Sequence, residues 1–137
     1  MALTQLLSSM KNLDGEITVD GFYDDVVPLS DNDKAEISRV PFDEKEYLKL
    51  TGAVGLDGEA GYTAPERIGG RPTLDINGIW GGYQGVGTKT VLPAKANAKI
   101  TCRLVANQKP KEILKKIEKH VNDFLPNGVI GRVLPLQ

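Results

Sequence analysis

A single cysteine, Cys102, and a single histidine, His120, stand among 137 residues. One cysteine excludes an internal disulfide and a thiolate metal site. Zinc sites draw on cysteine, histidine and carboxylates, and catalytic ones generally use several histidines. An ordinary catalytic zinc therefore cannot be held by this chain alone. A Ser-His-Asp arrangement stays formally open, but no serine stands in a nucleophile-elbow pattern. No apolar run approaches the ~20 residues a membrane-spanning helix needs. An excess of one charge is also lacking, since 17 Lys/Arg and 18 Asp/Glu are interspersed for a net charge of −1. A polyanion-binding surface needs a basic stripe, which the chain does not have. Lys11 follows the first apolar stretch instead of preceding it, so no secretory signal pattern is present. These absences lead us to expect a soluble, cytoplasmic protein without nucleic-acid or membrane partners and without chemistry of its own.

What is present is enough for a packed core. The hydrophobic fraction is 40%, and the length suits one compact domain. Leu3, Leu6, Leu7, Met10 and Leu13 recur at helical spacing over 2–13, which predicts an opening helix ended by Asp14-Gly15. Ile17-Thr18-Val19 reads as a short extended piece and Asp20-Gly21 as a turn. Ser30 with Asp33 forms a capping box for a helix over Asp31–Arg39, closed by Pro41. Asp43 caps a second helix over Glu44–Leu50, stopped by Gly52. A glycine-rich stretch follows to Gly70, with Thr63-Ala64-Pro65-Glu66 able to seat one helical turn. Residues 16–70 thus read as an insertion of short helices and loop.

The second half is more regular. Thr73–Trp80 alternates, with Leu74, Ile76 and Trp80 on one side. Asn97–Val105 alternates with Ala98, Ile100, Cys102 and Leu104 inward and Asn97, Lys99, Thr101 and Arg103 outward. Pro110 opens a helix to Leu125 whose stripe is Ile113, Leu114, Ile117, Val121, Phe124 and Leu125. Val129–Leu134 is expected as a last strand. The fold class is α+β, a ferredoxin-like two-layer sandwich with helices on one face of an antiparallel sheet. The chain starts directly on a helix, so the first strand of that order is expected to be missing.

Five local features bear on chemistry. Gly82-Tyr-Gln-Gly-Val-Gly-Thr-Lys-Thr90 approaches a phosphate loop, but Thr88 stands where lysine belongs. It also runs into extended Val91-Leu92-Pro93 and not into a helix, so nucleotide binding is not expected. His120 reads as a partly exposed surface histidine near a helix C-terminus, where a positive charge is mildly favourable. Cys102 reads as a small buried hydrophobe. Asp24-Asp25 reads as a solvated turn. Arg103, on the polar face of its strand, is either a solvated surface arginine or a fork for a carboxylate, and spacing does not decide.

Three segments together carry a resemblance. Arg71-Pro-Thr-Leu-Asp-Ile-Asn-Gly-Ile-Trp-Gly-Gly-Tyr, Gly87-Thr-Lys-Thr-Val-Leu-Pro-Ala-Lys-Ala and Ala98-Lys-Ile-Thr-Cys-Arg-Leu-Val occur in that order. The chain resembles, over nearly its whole length, the lid and dimerisation domain of the family-twenty zinc metallopeptidases. These include carnosinases, cytosolic non-specific dipeptidases, aminoacylases and succinyl-diaminopimelate desuccinylase; Gly21-Phe-Tyr-Asp-Asp-Val matches the dipeptidase branch. The resemblance implies a homodimer formed through the lid. It also implies a parent hydrolase whose separate catalytic domain holds two zinc ions and acts on dipeptides or related amides, with no metal ligand and no catalytic residue in this stretch. It implies two substrate-binding residues here: Thr90, reaching a neighbouring active site, and Arg103, pairing with the substrate's C-terminal carboxylate. The rival is a free-standing ferredoxin-like ligand-binding or protein-interaction module.

Overall fold

The computed structural model describes residues 1–136. Its elements are α1 (Ala2–Ser8), α2 (Asp31–Ser38), α3 (Glu44–Thr51), α4 (Ala64–Gly70), β1 (Thr73–Gly81), β2 (Ala96–Arg103) and α5 (Pro110–Phe124). The fold is α+β, with an antiparallel β1–β2 pair and helices α1 and α5 feeding one apolar cluster beneath it.

That cluster draws on distant parts of the chain. Leu6, Leu7 and Met10 come from α1 and its exit, Ile17, Val19 and Phe22 from the segment behind it, Leu74 from β1, and Ile113 and Val121 from α5. Ala98, Ile100, Cys102 and Leu104 of β2 pack on its rim, as their alternation predicts. Met10 and Phe22 are each only 1% exposed. Gln108 ties the far side down: its Nε2 donates to the Phe22 carbonyl at 2.8 Å and its Oε1 accepts from Val105 N–H at 3.0 Å.

The opening helix is shorter than its apolar spacing predicts. It ends at Ser8, Lys11 pairs with Ile17 as an isolated bridge, and Leu13 is fully exposed. The reason is local: Asn12 Oδ1 accepts from the N–H groups of Asp14 and Glu16, which makes a turn that competes with the helix.

The short helices between residues 31 and 70 follow their capping signals closely. Ser30 and Asp33 exchange both bonds of a capping box, Asp43 caps α3, and Gly52 ends it in the left-handed conformation at φ 71°. Thr63 and Glu66 form a second box that starts α4, which runs for two turns where one was expected. None of α2, α3 and α4 contains a buried residue. Their formation rests on caps and local spacing, with little help from the core.

Two strand expectations are corrected. In β1 the pairing slips between Ile76 and Gly78, which leaves Asn77 as an extra residue. A bulge of this kind reverses the alternation beyond it. By register Trp80 therefore falls opposite Asn97 on the outer face and Ile79 opposite Ala98 on the inner one; both are exposed, 44% and 58%, because the core cluster does not extend to this end of β1. Val129–Leu134 pairs with no strand among the described residues. In a split βαβ unit the strand that follows α5 lies one place away from β2, so it has no ladder unless another strand fills that place. The segment instead leans on α5: Gly131 passes so close to Val121 and Leu125 that a side chain there would collide.

Candidate functional site

At the end of the hairpin where Thr73 faces Arg103, the surface opens into a cleft of about 280 Å³. Its back wall is a buried ion pair. Arg71, the residue two before β1, reaches Glu59 through Nε at 2.7 Å and Nη2 at 2.5 Å, with side-chain exposures of 9% and 11%. The guanidinium lies 4.4 Å from the Tyr62 ring centre and 5.1 Å from that of Tyr23. Glu59, as hydrogen-bond partner, raises the pKa of Arg71 above its ordinary value. Tyr23 is fixed in turn, its hydroxyl accepting from Ile17 N–H at 3.0 Å; burial is the main cause that raises its phenol pKa.

The glycine-rich loop forms the side wall. Arg67 Nε donates to the Glu59 carbonyl at 2.8 Å and its Nη1 to the Asp57 carbonyl at 3.2 Å. Ala60 N–H donates to Asp14 O at 2.7 Å. Gly15, at φ +76°, lies against the Gly58 backbone where any side chain would collide. The loop is thus bolted to the turn that follows α1. Arg103 and Lys11 line the same cleft, as do Asp57 and Asp75. Neither Arg103 nor Lys11 has an ion-pair partner among the described residues.

Thr90 lies elsewhere. It is exposed on the loop between β1 and β2, which joins the strand ends opposite Arg103. The eight residues of β2, at roughly 3.3 Å each, separate the two ends by more than 20 Å. In that loop Tyr83 donates to Val86 O at 2.8 Å, and the Lys89 ammonium sits 5.0 Å from the Tyr83 ring. The loop enters no helix.

His120 corrects the expectation of a surface histidine. It is 4% exposed, stacked on Phe124 with ring centres 4.2 Å apart, and its Nε2 lies 2.8 Å from Ser9 Oγ. Ser9 gives its only hydroxyl proton to Leu6 O at 2.8 Å, so Nε2 is the donor in the neutral ring. Desolvation is the main cause that lowers its pKa below the ordinary 6.5. It is a clasp between α1 and α5. Cys102 is half-buried on the inner face, and burial, with Asp75 second, raises its thiol to about 11. His120 and Cys102 are thus committed to packing, and among the described residues no three His, Cys, Asp or Glu side chains converge to hold a metal. Zinc does not fit this stretch.

The sequence alone missed Arg71, Glu59 and Lys11. Arg71-Pro72 before a strand is a weak cue. Nothing in a glycine-rich loop marks Glu59 as the partner of a residue 12 positions on.

The family model described as "Peptidase dimerisation domain" matches residues 1–129, and the chain belongs to that family. It is 30% identical over 121 residues to the Beta-Ala-His dipeptidase of Homo sapiens, covering 88% of this chain and 24% of that protein. It is likewise 30% identical over 122 residues to the Cys-Gly metallodipeptidase DUG1 of Saccharomyces cerevisiae, covering 86% and 24%. Among solved structures, a metallo-carboxypeptidase, Sso-CP2, from Sulfolobus solfataricus superposes with TM-score 0.80 at 31% identity, over 89% of this chain and 32% of that one. Human carnosine dipeptidase 1 superposes with TM-score 0.78 at 28% identity, over 90% and 26%. The chain spans about a quarter of the length of the curated relatives it matches.

Proposed function

We propose that residues 1–137 form a single lid and dimerisation domain of a longer zinc-dependent hydrolase that cleaves dipeptides or related amides. In this reading the isolated chain is not catalytic, and the parent is a cytoplasmic homodimer paired through this domain. Two zinc ions belong to the parent's separate catalytic domain, where they would activate the attacking water; no residue of this chain is assigned to them. The observation that carries the reading is Arg103: an exposed guanidinium at a strand end, in a walled cleft, without a carboxylate of its own. Such a fork suits a substrate's C-terminal carboxylate. Thr90, exposed on the β1–β2 loop, would touch substrate in a neighbouring active site. The quarter-length match to dipeptidases supports this over a free-standing module.

The test is Arg103→Ala in the parent enzyme, assayed on paired substrates with a free or an amidated C-terminus. The expected result is a roughly 10- to 100-fold loss in kcat/KM on the free carboxylate alone, the range for a charge-assisted, two-point bond. Equal losses on both substrates would overturn the fork role. Zinc-dependent dipeptide hydrolysis by the purified 137-residue chain would overturn the accessory role.

A further inference from the structure

The cleft beside Arg103 holds four cationic and three acidic side chains, one positive charge in excess. Arg71 and Glu59 neutralise one another, and Arg67 directs two donors to backbone carbonyls. Lys11 and Arg103 remain as the cations with neither kind of partner. Lys11 is not on a frayed end. Its backbone pairs with Ile17, and Glu16, the acid at the other end of that turn, is engaged by Asn12 Nδ2 at 2.7 Å.

We propose that the cleft binds a single carboxylate through two cations, Arg103 and Lys11, with Lys11 acting as a specificity-determining residue. The proposal rests on the reading of Arg103 given above and extends it. A guanidinium offers a planar fork, and an ammonium adds a point charge that can approach from another direction. One carboxylate cancels the excess charge, whereas a second would meet Asp57 and Asp75 on the same walls. The ligand class is therefore a monocarboxylate of the kind found at a peptide C-terminus or on an N-acylated neutral amino acid.

The experiment uses the 137-residue chain itself, labelled with nitrogen-15, and three probes followed by amide and guanidinium shifts. N-acetylglycine is expected to give saturable shifts at Gly15 and at Arg103 Nε. N-acetylglycinamide, which lacks the charge, is expected to give none, and N-acetylaspartate, with two charges, is expected to bind more weakly. Lys11→Gln should raise the Kd for N-acetylglycine about three- to fivefold, the upper range for an exposed pair, and Arg103→Ala should abolish the shifts. Lys11→Gln with an unchanged Kd would overturn the role of Lys11 and leave that of Arg103 standing. Equal shifts from the amide, or no saturable shift at all, would overturn the cleft as a carboxylate site; the assay on the parent enzyme judges Arg103 separately. Binding of N-acetylaspartate as tight as that of N-acetylglycine would overturn the preference for monocarboxylates.

Discussion

Arg71 and Glu59, twelve positions apart with α4 between them, meet through two parallel bonds of 2.7 and 2.5 Å, both nearly closed to solvent. A pair so buried does not add stability in proportion to its Coulomb attraction, because both ions were stripped of water. Removing one partner is another matter. Glu59→Ala leaves a buried guanidinium uncompensated and is expected to cost about 3–5 kcal/mol, read by urea denaturation. Replacing both, as Arg71→Met with Glu59→Leu, should recover most of that loss. A single substitution that costs less than the double one would contradict the argument.

The clasp between His120 and Ser9 carries a pH signature. Folding lowers the His120 pKa below 6.5, mainly by desolvation. Between that lowered value and 6.5 the unfolded chain binds the extra proton, so stability increases with pH there and is lost as pH falls through the window. Stability should therefore be full above pH 6.5 and decline below it before carboxylate titration begins. His120→Gln keeps a donor for Ser9 but does not titrate, and its stability should be flat over the same window. Thermal melts in steps between pH 5 and 7.5 check both; a slope unchanged in His120→Gln would assign it to other groups.

The bulge after Ile76 separates two apolar residues of β1. Leu74 is 2% exposed in the core and Trp80 is 44% exposed on the outer face. Leu74→Ala should cost about 2–5 kcal/mol through lost transfer energy and a cavity. Trp80→Ala, although it removes the larger side chain, should cost less than Leu74→Ala in the isolated chain, because much of the indole is already in contact with water. Comparable losses would mean that Trp80 is covered from a side the described residues do not provide.

The insertion helices offer a contrast between local and global stability. Ser30→Ala and Asp43→Ala each remove a cap worth about 1 kcal/mol. Because neither α2 nor α3 contains a fully buried residue, the expected effect is faster amide exchange confined to residues 31–51, with the main unfolding transition unmoved. A lowered Tm for the whole chain would show that the insertion is coupled to the core.

Cys102 should react slowly. With its thiol raised to about 11, very little thiolate exists near neutral pH, and thiolate is the reactive form. Alkylation by iodoacetamide should be far slower than for an unstructured peptide thiol and should accelerate in urea. Equal rates for folded and unfolded chain would contradict the burial argument.

The sequence by itself determined what local chemistry determines. The capping box at Ser30 placed α2, Thr63–Glu66 marked a helical turn where α4 begins, Gly52 stopped α3, the inward set of β2 was legible from its alternation, and α5 from its stripe. These depend on neighbours within a few residues, as does the joint pattern of motifs that announced the family. Tertiary structure alone decided what depends on partners far along the chain. A bulge turned Trp80 outward, because register is a property of two strands and not of one. Val129–Leu134 has the branched, apolar composition of a strand, yet among the described residues it pairs with no other strand. His120 became a buried clasp because Ser9, 111 residues away, closes over it. The cleft likewise exists only in the fold. Arg103 could be read from the sequence as a candidate fork, but Lys11, Glu59 and Arg71 gather around it through a loop whose glycines encode flexibility and not destination.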